Sequence, residues 1–395
     1  MTLRLFFKGV LALAFCSALP ASTLAGGFSR GEADTDILFE DGNVVVRSGI
    51  IGVYPQRDFK TINGAPASDG VFSDDYFIPS VAAKFRISEN LACAATYTQP
   101  FGGSSTYGPQ AQAADGAVDP WDLGGGFVLP GNYKKHEEFT THEYGATCDI
   151  SFSAGPGDLH LIGGGFVQSF SYTQDTLYGK LHLEDDGAPG YRAGIAYEIP
   201  EYAMRAQLMY RSEVHQKAEG DFSPDFLARF PFLGVNQTAF AHGSGSLPQS
   251  LELNLQSGVA PGWLVYGSVK WTDWSVLQTL NYTIENPLGD QQIDFFWKDG
   301  WTIQGGVAHA FTDKVAGTIN LTWDRGVGTG VDIMTDMWTI GAGTSIKTEL
   351  GELRFGVGVT YMEGGSQSVA KGANFDATAG EDWVLAFSGS YKISF

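Results

Sequence analysis

Basic residues recur at the polar positions of stretches whose alternate residues are apolar: Lys84, Arg86, Arg192, Arg205, Arg211, Lys270 and Arg354, with Glu198, Glu213, Asp324 and Asp382 in equivalent places. A guanidinium holds a carboxylate through two parallel hydrogen bonds, so Arg192, Arg205, Arg211, Lys270 and Arg354 are candidates to bind an anionic head group. The alternative for each is an ion pair within the protein. A second set of residues is apolar and glycine-flanked: Phe101, Tyr107, Trp121, Phe127 and Leu129 between 101 and 137, and Phe222, Phe226, Phe230 and Phe232 between 215 and 247. These could form a capture groove for an apolar solute or simply pack on one another. Pro100, Gly102 and Gly103 form a third set, since a proline removes a backbone donor from a ladder and the glycines beside it add conformational freedom. They mark either an interruption in a wall or the end of a strand.

Catalytic arrangements are absent from the sequence. The seven histidines are scattered, with no H-E-x-x-H and no Cys and His at zinc spacing, so no metal or cofactor is expected. Gly243-Ser244-Gly245 lacks a G-x-S-x-G elbow, and the glycines of 326–330 lie between Asp324 and Asp332, a poor setting for phosphate. The chain of 395 residues carries 44 acids against 24 bases, a net charge of −20, which repels nucleic acid in the absence of a basic stripe. Its 27 Phe, 16 Tyr and 9 Trp exclude a disordered chain.

The elements that must position these residues are strands. Arg4 and Lys8, the short apolar stretch Val10 to Ala18 and Thr23-Leu24-Ala25 read as a signal peptide over 1–25, and Phe15 before Cys16 argues against lipidation. Beyond it no apolar run approaches the roughly 20 residues of a spanning helix. Instead a period of two recurs, as in Leu353, Phe355, Val357, Val359 and Tyr361 alternating with Arg354, Gly356, Gly358 and Thr360. Such stretches occupy 44–57, 76–88, 91–100, 138–153, 158–172, 189–199, 202–214, 248–260, 262–275, 297–311, 314–325, 335–348, 351–362 and 381–395. Short turns between them, such as Ser88-Glu89-Asn90 and Pro261-Gly262, alternate with longer loops at 58–75, 101–137, 173–188, 215–247, 276–296, 326–334 and 363–380. The pattern predicts an all-β fold: a transmembrane antiparallel barrel of fourteen strands in the bacterial outer membrane, with short periplasmic turns and long outer loops. Tyr97, Trp263, Trp271, Trp301, Trp323, Trp338, Trp383 and Phe395 then sit near the two interfaces.

Several stretches are similar to the FadL-type outer-membrane transporters of long-chain fatty acids and other hydrophobic compounds. Leu247-Pro248-Gln249-Ser250-Leu251-Glu252-Leu253 resembles that family's Leu-Pro turn into a strand, and Trp271-Thr272-Asp273-Trp274-Ser275 its Trp-Thr-x-Trp-Ser strand end. Tyr97-Thr98-Gln99-Pro100-Phe101-Gly102 and the terminal Phe395 add to this. The resemblance implies a monomeric barrel plugged by an N-terminal hatch, here 26–43, with a kinked third strand that opens the wall sideways at Pro100, Gly102 and Gly103. The family's Asn-Pro-Ala hatch element is missing, and Gly42-Asn43 is its nearest remnant. The expected function is passive uptake of hydrophobic molecules, foremost long-chain fatty acids, with outer-membrane lipid around the barrel. A general diffusion porin, and more remotely a barrel-embedded lipid hydrolase, are the rivals. Cys93 and Cys148 fall on the lipid face of neighbouring strands, and average cross-strand spacings predict free thiols.

Overall fold

The computed structural model describes residues 26–395, so the signal-peptide reading of 1–25 lies outside the described residues. Fourteen antiparallel strands form the wall, each hydrogen-bonded to the next, and the last returns to the first through pairs from Val45↔Ser394 to Pro55↔Val384. In chain order they are β1 (Val44–Pro55), β2 (Tyr76–Arg86), β3 (Leu91–Thr98, continued by Gly102–Thr106), β4 (Lys134–Ala154), β5 (Gly157–Thr176), β6 (Gly179–Ile199) and β7 (Met204–Arg211, then Val214–Pro224). There follow β8 (Ala239–Leu247, then Ser250–Ala260), β9 (Trp263–Thr272, then Thr279–Ile284), β10 (Gly289–Asp294, then Gly300–Ala310), β11 (Val315–Asp324), β12 (Met337–Lys347), β13 (Glu352–Met362) and β14 (Asp382–Ser394).

The alternation read from the sequence is realised as an inner and an outer face. On β11 Ile319 and Leu321 are exposed on the outside while Asn320, Thr322 and Asp324 are buried in the lumen. Val357 and Val359 on β13, and Leu385 and Phe387 on β14, continue the outer band, bordered by Trp263, Trp301, Trp338 and Trp383. An outward apolar band with aromatic borders is what lipid contact requires of a barrel. Leu321→Arg is therefore expected to impair assembly by about 2 to 4 kcal/mol, and Asn320→Ser, one residue away, to be tolerated. Heat-modifiable migration on gels reads both; equal behaviour would mean that the two faces are misassigned.

Expectations about the loops and the cysteines need correction. Residues 173–188 are not a loop: β5 and β6 run on to Thr176 and from Gly179, leaving a turn at 177–178. Strands also enter 215–247 (to Pro224 and from Ala239) and 276–296 (Thr279–Ile284 and Gly289–Asp294). Above the membrane the sense of alternation inverts. Leu181, Leu183 and Phe222 turn inward and Lys180, Glu184 and Asp221 outward, because water lies outside the wall there and an apolar interior lies within. The free thiols are also overturned, since Cys93 and Cys148 face each other across β3 and β4 and form a disulfide with Cα atoms 4.0 Å apart. This pair is closer than the average cross-strand separation on which the expectation rested.

Residues 26–43 lie inside the barrel. A short 3-10 turn, Thr35–Phe39, presses Ile37 and Leu38 onto the inward Val45, Ala82, Ala92, Ala94, Ile162 and Ala196. Its acids meet bases of the wall. Asp34 pairs with Arg47 (2.7 Å), Asp36 with Arg205 (3.3 Å), Glu32 with Lys270, and Glu40 with Arg47, Arg354 (3.3 Å) and Lys392 (2.8 Å). Lys84 donates to the Glu40 carbonyl. The segment is thus held in the lumen, in the place of a plug, by apolar contact and by ion pairs at almost every second residue.

Candidate functional site

Above the plug the wall encloses a cavity of about 290 Å³, close to the lower bound of small-molecule pockets. Its lining comes from the plug (Phe28, Arg30), from β4 to β6 (Phe139, Phe170, Tyr172, Leu183), from the breaks within β9 (Leu277) and β10 (Phe295) and from the loop after β11 (Met334). Apolar inward side chains of the extended strands make this lining, and Trp274 and Trp297 pack behind it with ring centroids 5.2 Å apart. Phe28 reaches from the plug into the same cluster, 4.7 Å from Phe139 and 4.6 Å from Trp297. In the loop that closes the cavity, Asp332 accepts a hydrogen bond from Trp297 Nε1 (2.6 Å). Burial pushes the Asp332 carboxyl up to about 6 although that bond favours its charge.

The wall beside the cavity is interrupted. The β2–β3 ladder runs from Arg86↔Ala92 to Val81↔Tyr97 and stops; only a bridge between Ser73 and Ser105 joins the two chains farther out. On its other side β3 passes from Thr98↔Glu143 to Gly102↔Thr140, so that Gln99, Pro100 and Phe101 face two residues of β4, a bulge. The groups freed at the bulge are taken up from inside. Arg30 N donates to Pro100 O (2.8 Å), Gly31 N to Gln99 O (2.8 Å), and Gly102 N to Phe28 O (3.0 Å). Gly31 permits this approach, because a Cβ there would meet Thr98 Oγ1 at 2.6 Å. Pro79 stands on the β2 side of the gap, within the ladder to β1. A proline fits such a ladder when its nitrogen faces an unpaired edge, so prolines border the gap on both sides.

The residues singled out from sequence divide into groups. Pro100 lies at the bulge, and Gly102 and Gly103 begin the outer segment of β3 and line the cavity. Of the groove set, Phe127 and Phe232 are exposed and Phe226 and Phe230 half-buried, forming a chain of rings at the outer tip: Phe127 to Phe230 5.9 Å, Phe230 to Phe226 5.4 Å and Phe230 to Phe232 6.1 Å. Phe101, Leu129 and Phe222 are buried in the main apolar cluster, with Trp121 against its edge. Tyr107 belongs to a separate cluster with Phe72 and donates to Glu137 (3.0 Å).

The five bases put forward for an anionic head group are each matched to a carboxylate of the protein, whereas Lys84 reaches only the Glu40 carbonyl. Arg192 and Arg211 (2.7 Å) share Glu143, Arg205 takes Asp36, Lys270 takes Glu32, and Arg354 takes Glu352 (2.7 Å) and Glu40. Arg86 and Glu213 are exposed rather than enclosed. Sequence reasoning missed Phe28 and Arg30, which precede the first strand where no periodicity assigns a side chain to a face, and Pro79, which sits inside an alternating stretch. The Gly-Gly-Phe-Ser-Arg run at 26–30 was the available clue.

The sequence profile described as outer membrane protein transport protein (OMPP1/FadL/TodX) matches residues 38–317. The long-chain fatty acid transport proteins of Escherichia coli K12 and Salmonella typhi are each 27% identical over 226 residues, which is 51% of this chain and 48% and 49% of theirs. The chain spans about half the length of the curated relatives it matches. Among solved structures, a Pseudomonas aeruginosa FadL homologue superposes with a TM-score of 0.69 at 14% identity, covering 94% of this chain and 96% of that one. The P. putida toluene transporter TodX superposes at 0.60 and 12% identity, covering 91% and 92%, so that the shared fold is what these likenesses carry. With its closed fourteen-strand barrel and a profile match over most of its length, the chain belongs to the OMPP1/FadL/TodX family of outer-membrane transport proteins.

Proposed function

We propose that the protein is a monomeric channel for passive uptake of hydrophobic molecules, foremost long-chain fatty acids, across the outer membrane. The observation that carries this reading is the apolar cavity lying above an ion-paired plug and beside an unpaired stretch of wall. Phe127, Phe226, Phe230 and Phe232 capture the solute at the outer tip, the cavity takes it below the sugar layer, and the gap at Pro100, Gly102 and Gly103 releases it sideways into lipid. An oily solute on this route never enters bulk water, so it keeps the roughly 0.8 kcal/mol per methylene that exposure would cost. A general diffusion porin needs an open aqueous lumen, which the plug occupies. The names of the relatives, one set for long-chain fatty acids and one for toluene, bracket the ligand class.

The test is uptake of a radiolabelled long-chain fatty acid by cells whose own transporter is deleted, together with mass spectrometry of ligands that co-purify in mild detergent. Uptake restored by this barrel, with an apolar ligand recovered, is the expected result. Conductance of small ions without fatty-acid uptake would point to the porin instead.

A further inference from the structure

Arg30 is the one cation of the cavity wall, among the described residues, that no carboxylate of the protein neutralises. Its side chain comes from the plug rather than from a strand, is 7% exposed, and lines the cavity at the level of the gap. Tyr76 of β2 lies under the guanidinium, 4.2 Å from ring centroid to Cζ, and Gly102 leaves room for it, since a Cβ there would fall 2.5 Å from Cζ. The backbone of the residue is fixed to Pro100 O, so the guanidinium is held beside the interruption in the wall. Its Nε is buried without a hydrogen-bond partner, and no carboxylate stands within 4.0 Å. The other lining cation, Arg57, is satisfied by Asp382 (3.3 Å), Thr335 Oγ1 (3.0 Å) and two backbone carbonyls.

The cavity carboxylates do not fill this role. Asp74 accepts from Ser104 Oγ (2.7 Å) and Thr106 Oγ1 (3.1 Å), and Glu137 is held by Lys134 (3.0 Å). Glu138 lies on the exposed side of the mouth, with about half its side chain in solvent, and acts on Arg30 only at longer range. A buried guanidinium stacked on an aromatic ring, with donors unused and an apolar chamber in front of it, lacks one component: an anion whose remainder is apolar.

Resting on the uptake reading above, we propose that Arg30 is the head-group residue of this channel. The cavity therefore takes anionic amphiphiles, with the carboxylate on Arg30 and the chain along Phe139, Phe170 and Leu277, in preference to neutral hydrocarbons. Because the residue belongs to the plug and bonds to the bulge of β3, the head group is read where the ligand must leave.

The experiment compares a long-chain fatty acid with the alcohol of equal chain length by equilibrium binding to the purified full-length barrel, wild type, Arg30→Gln and Arg30→Lys. The wild type is expected to prefer the acid, and Arg30→Gln to weaken acid binding by about ten- to a hundredfold, as loss of a charged hydrogen-bonding partner does, leaving the alcohol unchanged. Arg30→Lys should lie between the two. Equal affinity of the wild type for acid and alcohol overturns the assignment while leaving hydrophobe uptake intact. An equal loss of both ligands in a correctly assembled Arg30→Gln barrel also overturns it, because that would be a change of shape. If neither ligand binds the wild type, the uptake reading itself fails. Should Arg30→Gln not assemble, the wild type decides alone: its preference for the acid must disappear below the pH at which the bound carboxyl is protonated, and a preference that persists there overturns the proposal.

Discussion

Glu40→Ala is expected to unplug the barrel. The Glu40 carboxylate is buried and answers three cations from three different strands, Arg47 of β1, Arg354 of β13 and Lys392 of β14, which tie the end of the 3-10 turn to the wall. Removal of one member of a buried ion-paired set leaves its partners uncompensated, at a cost of about 3 to 5 kcal/mol. Arg47 keeps Asp34, and Arg354 and Lys392 keep Glu352, so the lower end of that range applies. The wall does not depend on the plug for its ladders, and heat-modifiable migration should be preserved. Conductance in planar bilayers should rise from near silence to open-channel events, and cells should become sensitive to hydrophilic antibiotics. If an assembled Glu40→Ala barrel remains closed to ions, the apolar seat of Ile37 and Leu38 holds the plug unaided.

Repair of the wall should have the opposite consequence. In Pro79→Val with Pro100→Val both borders of the gap regain a backbone donor and a β-branched side chain. Two ladder bonds at about 1 kcal/mol each favour the closed wall by roughly thirtyfold, so fatty-acid uptake should fall by about that factor. Gly102 is left in place because a larger residue would strike Arg30 and confuse exit with binding. Assembly should be unimpaired and ligand affinity retained. That division between binding and transport separates a gate from a folding defect, and unchanged uptake in the assembled double variant would mean that ligand leaves by another route.

The disulfide bears on the same region. Cys93–Cys148 clamps the inner part of β3 to β4, whereas β3 is released from β2 a few residues beyond it. The bridge and the gap lie on opposite edges of one strand, so on the proposed exit route the wall would open on the β2 side.

The wall was legible in the order of residues alone. A period of two is a local property, visible in any ten residues, and the alternation of Ile319 and Leu321 with Asn320 and Thr322 needs no partner to be read. Turn residues set the strand count, and the Leu247-Pro248 and Trp271 to Ser275 stretches pointed to the family. Where charges and apolar loops meet became visible only in the folded chain. Glu40 and Arg354 are 314 residues apart, Glu32 and Lys270 238. Alternation places Arg205, Lys270 and Arg354 in the lumen but does not reveal which acid the plug presents to each. The outer parts of β5 to β7 escaped because their apolar face turns from lipid toward the cavity, which inverts the meaning of the same pattern. Arg30 escaped for the plainest reason: it lies in no strand, and its neighbours Tyr76, Pro100 and Gly102 come together only when β2 and β3 close around the plug.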